Sequence, residues 1–239
     1  YNVQAVMNNP IWGLDNKIYV AGSGNGGSVV SLDHTDAKPI TFSHNDFRFD
    51  PVTENFEILS GGARFGNTFD DWGNRFLCNI RNPAQEVVLE NRYLARNPFS
   101  PVKTAIHDTA LAGDTLPVYR ISPVEPWREF RGQRWTAEEK KIPRSELTGG
   151  GVFTSASGIT IYRGAAYPKG FSGNAFVGEV ANNVIYRQTV KPDGVVFKAK
   201  RAGTNVEFVA STDTWFRPVN FVNAPDGTPP SLIRDGTGT

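Results

Sequence analysis

Apolar and polar residues alternate along much of this chain with a period of two, and tight turns repeatedly lead into the alternation. NKIYVAG follows Asp15-Asn16, NRFLCNI follows Asp71-Trp72-Gly73, and NAFVGEV follows Phe171-Ser172-Gly173. A Gly, Asn or Asp turn running into apolar residues is the pattern of a strand entered from a turn. DFRFDPVTENFEIL reads as a hairpin: Phe47 and Phe49 alternate, residues 51–55 turn, and Phe56 and Ile58 alternate again. NNVIYRQTV, the turn Lys191-Pro192-Asp193-Gly194 and VVFKAKRA repeat the idea. Helical periodicity is scarce. Its best segment, TAEEKKIPRSEL, is short, polar and broken by Pro143.

The turn-plus-strand units at Asn16, Asn74, Asn174 and Gly227 stand roughly 60, 100 and 50 residues apart, a spacing in the range of propeller blades. The long middle interval holds an insert over residues 98–151, rich in Pro and charge and poor in strand pattern. Each period is expected to supply an inner strand (NKIYVAG), a middle strand (SVVSLD) and an outer hairpin. Immunoglobulin-like sandwiches, the competing architecture, space their turns every 8–12 residues without a longer period. The expected fold is therefore all-β: about three complete four-stranded β-propeller blades and a truncated fourth in a partial or open ring. Residues 1–239 would form one such unit, with 98–151 as a lid. NFVNAPDG announces a fourth unit, and TPPSLIRDGTGT then offers no evident strand, which reads as truncation or a disrupted reading frame.

Composition narrows this only a little. The 24 Gly and 16 Pro suit a chain that turns often, and 12% aromatic residues can fill a core. A net charge of +1 from 25 basic and 24 acidic residues argues against nucleic acid or an anionic membrane as bulk partners. No segment approaches the roughly 20 apolar residues of a membrane span. The single cysteine, Cys78, sits in the apolar RFLCNI and reads as a buried thiol.

WGLDNKIYVAGSGNGG, GNTFDDWGNRFLCNIRNPAQEVVLENRYLARNP, ISPVEPWR, FTSASGITIYRGAAYPKGFSGNAFVGEVANN and EFVASTDTWFRPVNFVNAPDG resemble a family of large proteins abundant in planctomycetes and verrucomicrobia. Its members are labelled membrane-bound or glucose/sorbosone-type dehydrogenases with a haem-binding region. The resemblance covers about residues 1–227. It implies a propeller related to quinoprotein sugar dehydrogenases, with pyrroloquinoline quinone and Ca²⁺ as cofactors, a periplasmic or extracytoplasmic location, and helical repeats or a cytochrome c module as partners elsewhere in the parent protein. The chain departs from that pattern after NAPDG, and with one cysteine it has no Cys-x-x-Cys-His for covalent haem.

The expected activity is oxidation of a sugar or related alcohol at the channel mouth, with electrons passing to a quinone or cytochrome outside the chain. A non-enzymatic carbohydrate-binding propeller or a scaffold is the alternative. Such an oxidation needs a base for the hydroxyl proton, and histidine suits neutral pH. Of the three histidines, His107 lies in the insert, where a loop could cross one mouth, whereas His34 and His44 flank a strand connection. EPWREFRGQRW clusters Trp127, Arg128, Arg131, Arg134 and Trp135 as candidates for a lid that stacks on a sugar ring and grips a carboxylate, or for one that its tryptophans simply pin to the propeller. Asp213, Trp215 and Arg217 precede the fourth unit and form a second candidate binding group. Asn67, Asp70 and Asp71, with Asn79 nearby, are weak candidates for Ca²⁺; their spacing matches no EF-hand. GSGNGGS lacks the Lys-Ser/Thr ending of a phosphate loop and reads as a plain loop.

Overall fold

The structure is a computed structural model, and it describes residues 5–33, 36–97, 99, 102, 104–137, 150–228 and 231–234. The first sheet holds β1 (Asn8–Trp12) and β2 (Ile18–Ala21). The chain then leaves it for a separate hairpin, β3 (Gly27–Val29) with β4 (Ile40–Phe42), and returns as β5 (Asp46–Phe49) and β6 (Phe56–Leu59). The second sheet is β7 (Asn67–Phe69), β8 (Arg75–Asn79), β9 (Asn82–Val87) and, after helix α1 (Asn91–Leu94), β10 (Ile106–Asp108). Helix α2 (Pro126–Ala137) separates it from the third sheet. That sheet is β11 (Ala156–Ile161), β12 (Ala175–Glu179), β13 (Val184–Asp193) and β14 (Val196–Arg201), with β15 (Val209–Ala210) also on β13. β16 (Pro218–Val222) pairs antiparallel with β17 (Ser231–Arg234) as a fourth, two-stranded sheet.

Every strand pairing is antiparallel, and the first strands of consecutive sheets touch: β1 meets β7, β7 meets β11, and β11 meets β16. This is an all-β, propeller-like arrangement of successive blades about an axis. The strands on the inside of the sheets are buried on both sides. β8, β11 and β12 carry apolar residues at both parities because each sheet is covered by its neighbours. Phe76, Cys78, Phe153, Ile159, Val177 and Tyr186 form the largest cluster, between the second and third sheets, and Leu116 and Val118 of the insert close it. The Cys78 thiol donates to the Phe65 carbonyl at 3.2 Å, and burial pushes it up to about 12, an inert group at neutral pH.

Four sequence expectations change here. NKIYVAG and its equivalents are the second strands of their sheets, not the innermost. The recurring turn signal is a left-handed residue two positions before each: Asn16 (φ 60°), Gly73 (φ 86°) and Gly173 (φ 77°). This conformation favours Gly and Asn over other residues. SVVSLD is no middle strand, because among the described residues β3 pairs with β4 alone. The insert supplies a blade strand, β10, the fourth of the second sheet. The strand that TPPSLIRDGTGT did not announce is β17, whose backbone pairs with β16 from Ser231 to Arg234; pairing with a neighbouring strand can order a segment of weak local preference. The segment TAEEKKIPRSEL falls mostly outside the described residues, and the described helix lies just ahead of it.

The sheets meet at very short range along the inner strands. Gly158 adopts φ 61° inside β11, and a Cβ there would lie 2.5 Å from the Asn220 Cα and the Val219 oxygen of β16. Glycine at this position lets the third and fourth sheets approach backbone to backbone.

Candidate functional site

A cavity of about 740 Å³ opens at the end of the axis where the first strands begin. The four sheets that begin with β1, β7, β11 and β16 all contribute to it. Asn8 and Asn9 come from β1, Phe65 from the approach to β7, Ser157 from β11 and Asn220 from β16. The turns after β8 and β12 add Ile80, Val180 and Ala181, and Thr154 and Ser155 lead into β11. The amides tie the ring together: Asn9 Nδ2 donates to Asn220 Oδ1 at 3.3 Å, Asn8 Nδ2 to the Arg64 carbonyl at 2.7 Å, and Ser157 Oγ to the Val219 carbonyl at 2.9 Å.

Helix α2 lies over this mouth and brings Trp127, Arg128 and Arg131 into the lining. Pro126 stands at its first position, where a missing N–H costs nothing and the fixed φ suits a helix, and the helix-formers Arg, Glu and Gln follow. The helix escapes the periodicity search because it is not amphipathic: Phe130 is 65% exposed. Both guanidinium groups sit over the indole of Trp127, Arg128 at 4.3 Å and Arg131 at 5.3 Å from the ring centroid. The backbone of Trp135 belongs to the same helix, and its side chain lies outside the described residues.

Glu125 clamps the helix to the blades. Its carboxylate accepts from Arg128 Nε at 2.6 Å and from Arg217 Nη2 at 2.5 Å, while Arg217 Nη1 reaches the Val180 carbonyl at 3.4 Å. Burial acts to raise the Glu125 carboxyl, but the hydrogen bonds and charges of Arg217 and Arg128 win and hold it below its ordinary 4.5. A lowered folded value means stabilisation that is present above the unfolded carboxyl's pKa and is lost as pH falls through the folded one. Glu125→Gln should therefore loosen α2 at pH 7, giving about tenfold faster backbone amide exchange over residues 126–137. The wild-type helix should reach comparable exchange only well below pH 4.5. Equal exchange in the two proteins at pH 7 would show that the clamp does not hold the helix.

A second network holds the rim. Glu179, fully buried, accepts from the Thr154 and Ser155 amides at 2.9 and 2.6 Å, from Thr154 Oγ1 at 3.2 Å, and from the amide and Nδ2 of Asn182 at 2.6 and 2.9 Å. Asn182 Oδ1 in turn accepts from Arg120 Nη1 at 3.3 Å, and Arg120 Nη2 donates to Ser122 Oγ at 2.9 Å. The insert is thus fastened to the β12–β13 turn that lines the cavity.

The other sequence candidates lie elsewhere. His107 is on β10 opposite Glu86, at the outer edge of the second sheet, and does not line the mouth. The expectation that its loop crosses the channel fails because that stretch pairs with β9 as a blade strand. Asp108 borders a different cavity, between the outer strands of the second and third sheets. Asp213 caps a turn by accepting from the Trp215 amide at 2.8 Å, and Trp215 is exposed; of that group only Arg217 approaches the mouth, through the clamp. Asp70 likewise caps its turn, accepting from the Trp72 and Asn74 amides and from Asn74 Nδ2. Asp71 pairs with Arg163 at 2.5 Å, and Asn67 is buried in β7. The three do not converge, and among the described residues no cluster of three or more His, Cys, Asp or Glu could hold a metal. His34 lies outside the described residues.

Sequence reasoning missed Asn8, Asn9, Ser157 and Asn220 in the lining, and Glu125 and Glu179 behind it. The usable signal was positional, since Asn8, Ser157 and Asn220 all sit near the start of a first strand. The described side chains of the lining offer amides, hydroxyls, guanidinium groups and one indole, with no carboxylate, imidazole, amine or thiol. Such a set recognises a polar ligand and does not move a proton. It does not fit Ca²⁺, which takes six to eight oxygens with carboxylates among them. It matches a carboxylated planar quinone in charge, through Arg128 and Arg131.

A family described as "Domain of unknown function (DUF7133)" matches residues 1–228. No curated protein matches. Among solved structures, one titled "Crystal structure of glucose dehydrogenase" is similar at 15% identity and a TM-score of 0.38, covering 94% of this chain and 78% of that one. A second, titled "glucose dehydrogenase", is similar at 16% identity and a TM-score of 0.35, covering 94% and 76%.

Proposed function

The chain belongs to the DUF7133 family, and we propose that its channel mouth holds a sugar or related alcohol as the substrate-binding part of a sugar-oxidising oxidoreductase. The observation that carries this reading is the 740 Å³ cavity shared by those four sheets and roofed by α2. Its volume is that of small-molecule sites. Amides and hydroxyls around its rim both donate and accept, which suits a polyhydroxylated ligand. A quinone bound beneath α2 would supply the two-electron acceptor; the chain's own residues bind, orient and exclude water there. Electrons would leave for a quinone pool or a cytochrome or helical-repeat partner beyond this chain, in an extracytoplasmic setting. Among the described residues no helix is long and apolar enough to cross a membrane.

One observation favours a second reading. The described lining holds no side chain able to take the hydroxyl proton, which suits a carbohydrate-binding propeller without turnover. Calorimetry and dye reduction over one panel of neutral and acidic sugars, with pyrroloquinoline quinone and Ca²⁺ added, separate the two. Binding with dye reduction supports oxidation. Binding without it supports the second reading, and no binding across the panel overturns both.

A further inference from the structure

The charges at the mouth do not balance. Arg128 and Arg217 share the single carboxylate of Glu125. Arg131 forms no ion pair with a described carboxylate; its described partner is the Trp127 ring, and its guanidinium borders the cavity. No acidic side chain stands in the described lining, so the cavity is positive on one wall although the whole chain is nearly neutral. The rest of the polar lining is neutral and bifunctional. Asn8 Nδ2 donates to the Val6 and Arg64 carbonyls and Asn9 Nδ2 once to Asn220 Oδ1, which places the Asn8 and Asn9 Oδ1 acceptors and the second Asn9 N–H beside the Ser155 and Ser157 hydroxyls. A ligand complementary to this lining carries both hydroxyls and an anionic, planar group.

We propose that the ligand of this mouth is an acidic sugar of the uronic-acid class, its carboxylate held by Arg131 and its ring hydroxyls by the Asn8, Asn9 and Asn220 belt. A guanidinium is the natural partner, since its planar fork matches a carboxylate with two parallel hydrogen bonds. Trp127 keeps the fork in place from beneath, which lowers the entropy lost on binding. This inference rests on the sugar-binding reading of the same cavity and names the substrate class within it.

The test uses the full chain with glucuronate, glucuronate methyl ester and glucose as probes, by calorimetry at low and high salt. The ester keeps the shape of glucuronate and removes its charge. Glucuronate is expected to bind about fivefold or more tightly than either neutral probe, an advantage that shrinks with salt and disappears in Arg131→Gln. Arg131→Gln alters an exposed helix position, so its folding can be verified by an unchanged unfolding midpoint. Equal affinity for the acid and its ester, or a preference that survives Arg131→Gln, overturns the inference while leaving sugar binding intact. No binding of any probe overturns the inference together with the sugar-binding reading.

Discussion

Glu179→Ala is expected to lower the stability of the protein by about 4 kcal/mol or more and to abolish ligand binding at the mouth in whatever fraction still folds. The carboxylate accepts hydrogen bonds from two backbone amides of the Thr154-Ser155 approach, the Thr154 hydroxyl, and the backbone and side chain of Asn182. Truncation leaves three backbone donors without their acceptor, those of Thr154 and Asn182 buried and that of Ser155 half-buried, at roughly 1–3 kcal/mol for each buried one. Total stabilities of domains run to only about 5–15 kcal/mol, so the loss is a large share. Two of the donor residues, Thr154 and Ser155, line the cavity, which couples stability to binding. Glu179→Gln keeps the volume and one acceptor oxygen but turns an amide nitrogen toward donors, so its loss should fall between wild type and alanine. Urea unfolding measures both, and a shift below about 1 kcal/mol for the alanine variant would remove Glu179 from this role.

Arg75→Met is expected to cost about 3–5 kcal/mol at pH 8, because it strands a carboxylate in the interior. Asp46 is 0% and Arg75 2% exposed, and Arg75 Nη2 lies 3.3 Å from Asp46 Oδ2 while donating to the Ser60 carbonyl. The pair joins the first two sheets, and Asp46 also accepts from the amides of Gly22 at 2.9 Å and Ala63 at 3.0 Å. Burial pushes the Asp46 carboxyl above its ordinary 3.8, against the lowering by Arg75 and the backbone amides. A raised carboxyl binds its proton more tightly folded than unfolded, so its contribution is fully present below the unfolded pKa and is lost as pH rises through the folded one. Removing Arg75 raises the folded value further and widens that window. The gap between Arg75→Met and wild type should therefore be smallest near pH 4 and grow toward pH 8. Denaturant titrations at the two pH values read it directly, and a gap independent of pH would show that Asp46 is not left charged.

Much of the architecture was legible from turns and alternation. Asn16, Gly73 and Gly173 mark the same place in three sheets because a left-handed residue is needed there, and chain chemistry at that position is local. The hairpin of Phe47 to Ile58 was readable for the same reason, its register following from alternate burial. Strand order was less so. β1 and β7 are short, flanked by Gly and Asn, and half their character comes from neighbouring sheets. β10 and β17 are strands by pairing more than by preference, which is why no turn or alternation pattern marked them. The cluster Trp127-Arg128-Arg131 stood out in the sequence and borders the cavity, although its helical form and the Glu125 clamp were not legible. His107 misled because a histidine in an insert looks catalytic until the insert is seen to join a blade.

By itself, the amino-acid sequence determined the all-β character, the recurrence of the turn-and-strand unit, and the inertness of the lone thiol. Those follow from burial alternation and from residues that only certain backbone conformations accept. Tertiary structure alone decided the contents of the mouth. Asn9 and Asn220 meet across 211 positions, and Glu125 and Arg217 across 92. Their proximity depends on how many sheets stand around the axis and how closely Gly158 lets two of them approach. That is a property of packing among all the sheets, and no window of neighbouring residues carries it.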